Sequence, residues 1–214
     1  LLDFQATQWK ALKEIFTFYH VPYTPQTIER YNNVNLDLWR QLELDQIDRE
    51  TVLNTRFSLT FEQLGVSVDG TAAENAYRKQ LNQGTDVIQG ASELLESLYP
   101  THRIYAGTNG SRTTQYQRLA NTRMDHYFSY LFISEEMGFH KPDRLFFTTM
   151  FASIPGFDPE TTLMIGDNPL ADIEGAKNAG IQACWFNPKH LSHQRLVYAD
   201  YEIDTLSQLA AIVM

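Results

Sequence analysis

Apolar residues recur at helical spacing through the first part of the chain, where Trp9, Leu12, Ile15, Phe16 and Tyr19 fall on one face. Thr24-Pro25 predicts a helix start, with Thr24 as cap and Pro25 in the first turn. Leu36, Leu38, Trp39 and Leu42 continue an apolar-periodic stretch. Asp48 opens another helix, which holds Leu53, Phe57, Leu59, Phe61 and Leu64 and ends near Gly65. Asp69-Gly70-Thr71 reads as a turn before a helix over 72–81. No strand is predicted before about Gln83. The aromatic stripe of this half reads as core packing rather than as a ligand box. After Gly84 the pattern alternates. Helices are predicted over 91–98, 112–121, 142–153, 169–179 and 206–213, and strands over 103–106, 130–133, 162–165 and 181–185. Short apolar strands alternating with helices predict an α/β fold, a parallel sheet covered on both faces. Such sheets bind ligands beyond the carboxyl ends of their strands.

Composition narrows the functions available. The 214 residues suit one domain of ordinary size, or one core domain with an insertion. A single cysteine, Cys184, rules out an intrachain disulfide and fits a reducing cytoplasm. It lies in an apolar run and reads as a small buried hydrophobe. The six histidines are scattered, with no ligand-like pairing. A formal charge of −9 argues against a nucleic-acid partner, which would need a basic surface. It leaves room for a small anionic substrate, because a local cation site can hold one phosphate inside an acidic protein. No apolar run is long enough to span a bilayer.

Three polar clusters follow three of the predicted strands. Thr108-Asn109-Gly110 offers a hydroxyl and two turn amides that could cradle phosphate oxygens, although Asn-Gly is also simply a favourable turn. Lys141, ahead of Pro142, could set a fixed ammonium at the mouth of the sheet, against the ordinary alternative of a solvated lysine. Gly166-Asp167-Asn168-Pro169-Leu170-Ala171-Asp172 ends a strand and opens a helix. Asp167 there suits Mg²⁺ shared with waters and substrate oxygens. Asp172 would complete the metal's outer shell or orient Lys141. Capping explains Asn168 and Pro169 but not both aspartates. Because each cluster follows its own strand, all three converge on one edge of one sheet.

In that order these residues resemble the haloacid dehalogenase superfamily of phosphohydrolases. Thr108 matches the family's second motif, Lys141 its third, and Gly166, Asp167 and Asp172 its fourth. The runs 133–138, 141–143 and 165–180 look most like the pyrimidine 5′-nucleotidase branch, as do Asn35, Leu38-Trp39 and Arg56-Phe57. The resemblance implies a Rossmann-like core over 1–12 and 86–214, with an inserted all-helical cap over 13–85. It also implies an Mg²⁺-dependent hydrolase of nucleoside 5′-monophosphates that works through an aspartyl-phosphate. Phosphate would be held by Thr108, Asn109, Gly110 and Lys141, and the metal by Asp167 with Asp172. Lys141 is the one catalytic residue matched. The first motif, Asp-x-Asp-x-Thr, which supplies nucleophile and acid/base, does not occur in residues 1–214. In the family, a run like Leu1-Leu2-Asp3-Phe4 comes just after it, so its strand is expected upstream. Asp3 is no substitute, since no apolar strand precedes it. Two other functions stay open: a phosphatase for sugar phosphates or other small esters, and a non-catalytic phosphate or nucleotide binder. Trp39 could stack on a base, with packing as its alternative.

Overall fold

Each helix of the first part begins where a side-chain oxygen accepts an otherwise unpaired backbone N–H. Asp3 accepts from Ala6 N ahead of α1 (Phe4–Phe18), Asp48 from Thr51 N ahead of α3 (Arg49–Glu62), and Asp69 from Ala72 N ahead of α4 (Gly70–Gln83). Thr24 opens α2 (Pro25–Glu43) through a reciprocal cap with Thr27, and Pro25 follows it. Asp69 is thus itself the cap, and helix α4 starts two residues before the sequence predicts. Gly70 allows this, because a Cβ there would stand 2.2 Å from the Asn54 carbonyl of α3.

The computed structural model describes residues 1–44, 46–192 and 199–213. It divides into a helical unit, Asp3–Asp86, and an αβ unit made of Leu1–Leu2 and Val87–Met214. The helical unit closes on Ala11, Leu12, Ile15, Phe16, Tyr31, Phe57, Phe61, Ala73, Tyr77 and Leu81. The expected boundary after residue 12 therefore falls inside α1. This helix is continuous, and Ala11 and Leu12 belong to the helical core. Chain entry and exit lie side by side, where Asp3 N donates to Asp86 O at 2.9 Å. A charged cluster crosses this unit. Arg56 donates through Nε and Nη2 to Glu74, both at 2.8 Å, and the two residues are 7 % and 3 % exposed. Arg78 Nε also reaches Glu74, at 2.8 Å. Asn35 Oδ1 accepts from Arg56 Nη1 and from Trp39 Nε1, each at 3.2 Å, and Trp39 is half-buried.

The αβ unit alternates as expected: α5 (Ala91–Leu98), β1 (Ile104–Thr108), α6 (Arg112–Asn121), β2 (Phe128–Ile133), α7 (Ser134–Met137), α8 (Arg144–Ala152), β3 (Leu163–Gly166), α9 (Gly175–Ala179), β4 (Gln182–Phe186), β5 (Tyr201–Ile203) and α10 (Ala210–Val213). All strand pairs are parallel. Successive strand residues face opposite ways, and the two faces bury different clusters. Leu131, Ile133 and Cys184 pack with α5, Leu119 and Leu206. Phe132, Ala183 and Trp185 pack with Phe146, Phe147, Ile173 and Ala176. The result is the expected three-layer arrangement.

The details differ in several places: α7 and β5 are not among the predicted elements. Among the described residues the strands pair as two sheets, β1-β2 and β3-β4-β5, rather than as one. The helix predicted from Pro142 begins at Arg144, because Asp143 caps it by accepting from Leu145 N. The helix predicted over 169–179 opens with a wide π turn, Pro169–Glu174, before α9.

Candidate active site

The carboxyl ends of β1 and β3 carry the site. Thr108 is the last residue of β1, and its Oγ1 accepts from Gly110 N at 3.0 Å. That bond uses a lone pair of the hydroxyl and leaves its hydrogen free to donate. The Gly110 amide, expected on phosphate, instead holds Thr108.

Lys141 lies between α7 and α8 and is 8 % exposed, so it is no solvated lysine. Its Nζ donates to Gly107 O at 2.6 Å and to Asp172 Oδ1 at 2.7 Å. An ammonium has three N–H donors, and two are committed here. The Lys141 backbone is held as well, with N donating to Asn109 Oδ1 and O accepting from Asn109 Nδ2, both at 2.9 Å.

Asp172, in the π turn, is 5 % exposed. Its Oδ1 meets Lys141 and its Oδ2 accepts from Asn168 N at 3.0 Å. Both oxygens are thus engaged within the protein. π turns of this kind recur at functional sites. Asn168 caps the turn by accepting from Leu170 N and Ala171 N. Asp167, one residue past β3, is exposed, and its carbonyl accepts from Trp185 Nε1 at 3.2 Å. No group of three His, Cys, Asp or Glu side chains suited to a metal exists among the described residues. One exposed carboxylate still suits Mg²⁺, which keeps several waters and binds through one or two carboxylates plus substrate oxygens.

The structure therefore joins Gly107, Asn109, Lys141 and Asp172 by hydrogen bonds, with Thr108, held by Gly110, at the end of β1 and Asp167 just past β3. Sequence reasoning missed the Gly107 carbonyl, the Trp185 indole and the side-chain role of Asn109. None has a local signature, because each acts through a partner far away in the chain.

Residues 1–186 match the profile of haloacid dehalogenase-like hydrolases. The chain belongs to that family. Two relatives are 38 % identical to it. One is the HAD hydrolase YfnB of Bacillus subtilis, aligned over 100 % of this chain and 91 % of its own. The other is the pyrimidine 5′-nucleotidase PynA of Streptococcus pneumoniae, aligned over 98 % and 89 %. A crystal structure of YfnB bound to magnesium superposes with a TM-score of 0.91, covering 99 % of this chain and 93 % of that one. The pyrimidine 5′-nucleotidase YjjG of Escherichia coli is 28 % identical over 98 % and 92 %. Among the described residues, no helix of this family member is long and apolar enough to cross a membrane.

Proposed function

We propose that the chain is an Mg²⁺-dependent phosphomonoesterase acting on nucleoside 5′-monophosphates, pyrimidine nucleotides first. The αβ unit is its hydrolase core, and the helical unit is the cap that selects the leaving group. The reading is carried by the Lys141 ammonium, fixed between Gly107 O and Asp172 beside the Thr108 turn. The substrate class is supported by the names of the relatives.

Thr108 donates its free hydroxyl hydrogen to a phosphoryl oxygen. The third N–H of Lys141 offsets charge on phosphate and nucleophile. Asp167 holds Mg²⁺, which supplies a Lewis acid for the phosphoryl oxygens. The nucleophile and acid/base aspartates are those of the family's first motif, on a strand that would pair between β1 and β3. Among the described residues, those two strands belong to different sheets and each is an edge, which supports this placement. One aspartate attacks phosphorus as the ester P–O bond breaks, and the other protonates the departing ribose oxygen. A buried lone cysteine fits the cytoplasm as its location.

Full-length protein assayed with uridine, thymidine and adenosine 5′-monophosphates, glucose 6-phosphate and phosphoserine tests the proposal. Phosphate release should be fastest from the pyrimidine nucleotides and should stop with EDTA. A profile led by the sugar phosphate would replace the substrate class. No release from any ester would leave a phosphate-binding protein. Asp167→Ala should lower kcat by at least about a hundredfold and blunt the response to added Mg²⁺. Full activity in that variant would sink the metal assignment.

A further inference from the structure

Fixing the head of a lysine does not fix its stem. Lys141 lies outside every helix and strand, so no regular ladder pairs its backbone. Its N–H and C=O are nonetheless both satisfied, and by one side chain. Asn109 Oδ1 accepts from Lys141 N and Asn109 Nδ2 donates to Lys141 O, each at 2.9 Å and across 32 positions of sequence. A primary amide is suited to this, since it presents one acceptor and one donor in a plane. Only this orientation of the amide pairs both groups; the flipped one sets donor against donor and acceptor against acceptor.

We propose that Asn109 is a positioning residue whose side chain locks the Lys141 backbone and does not bind phosphate. This rests on the phosphatase reading for its effect on turnover, though not for the contact itself. The clamp runs from the turn that follows β1 to the residue that reaches back to Gly107 O in β1. Thr108 and Lys141 are thereby held in one rigid constellation. The single N–H that Lys141 has left is aimed by three anchors: Gly107 O, Asp172 Oδ1 and, through the backbone, Asn109. A misplacement of about 1 Å at such a group can cost about a hundredfold in rate.

The test pairs kinetics with chemistry at the lysine. Asn109→Ala should lower kcat on p-nitrophenyl phosphate about ten- to a hundredfold, with KM little changed. Limiting acetic anhydride followed by peptide mapping should find Lys141 protected in the wild type and several-fold more reactive in the variant. Asn109→Asp keeps the acceptor for Lys141 N and loses the donor to Lys141 O. It should give intermediate labelling, and it carries the comparison if the alanine variant does not fold. If Asn109→Ala mainly raises KM and weakens inhibition by inorganic phosphate while Lys141 stays protected, the side chain is a phosphate ligand and the proposal falls. If Tm drops but kcat per folded molecule and lysine protection match the wild type, Asn109 is merely structural and the proposal also falls. A wild type inert toward every ester would overturn the phosphatase reading, while the labelling contrast would still decide the clamp.

Discussion

At position 166 there is room for a hydrogen atom and nothing more. A Cβ built on Gly166 would stand 2.2 Å from Asp172 Oδ2 and 2.4 Å from its Cβ. Gly166→Ala must therefore push Asp172 away, and Lys141 with it. The expected result is a stability loss of about 1–3 kcal/mol by urea denaturation, together with a fall in kcat. Retained activity would mean that the Lys141–Asp172 pair tolerates displacement. Cys184 makes a different residue-scale statement. Burial pushes its thiol up to about 11 from the model-compound value of 9.0. The folded state then keeps a proton that the unfolded chain releases first, so stability falls as pH climbs from about 9 to about 11. Cys184→Ala should flatten that part of the stability–pH curve relative to wild type, measured by denaturant titration at pH 8 and pH 10.5. Much of the site at this scale was legible in the sequence. The three clusters holding Thr108, Lys141, Asp167 and Asp172 each come after a separate apolar strand, and chemistry after a strand is a local pattern. The bonds among them were not legible. Nothing near Asn109 in the chain announces that its amide is spent on Lys141.

At the scale of elements, helices declared themselves through caps and periodicity. Thr24-Pro25 and Asp48 sit where helices start because their side chains accept the first free N–H groups. Strand β5 escaped notice: Tyr201, Glu202 and Ile203 are too few to show a period, and only Ile203 is buried. The π turn at Pro169–Glu174, where Ile173 N donates to Asn168 O and Asp172 Oδ2 accepts from Asn168 N, was hidden because such bonds have no local signature. The boundary expected after residue 12 falls inside α1 of the helical unit for a related reason, since which core a helix joins is decided by distant partners such as Tyr77 and Leu81. That unit's helices are also tied by the Arg56–Glu74 pair, buried and doubly hydrogen-bonded. Removing one partner leaves the other charge buried, so Glu74→Ala should cost about 3–5 kcal/mol in chemical denaturation. Replacing both residues with apolar ones of similar volume should restore most of that loss.

Taken whole, the molecule carries a formal charge of −9 and is proposed to bind a dianionic ester. The long-range field opposes approach, while the local site attracts. Screening weakens the first more than the second, because Lys141 is buried and most surface charges are not. Raising ionic strength from about 10 mM to about 150 mM should therefore increase kcat/KM, until competing anions take over; a monotonic fall would indicate steering by a positive surface. The fold class was readable at this scale, because alternating strands and helices admit few arrangements. The pairing of the described strands as β1-β2 and β3-β4-β5 was not, since nothing in a strand's own residues says which neighbours it will find. That pairing also bears on how the chain assembles. β1 and β2 join across one short crossover, and so do β3 and β4, so each half closes on contacts near in sequence. The bonds of Lys141 to Gly107 and Asp172 span 34 and 31 positions and stitch one half to the other. The reactive constellation is thus a seam, present only once both halves are built and docked. A nascent or partly unfolded chain should therefore be catalytically silent, with activity reporting on completed assembly as much as on chemistry.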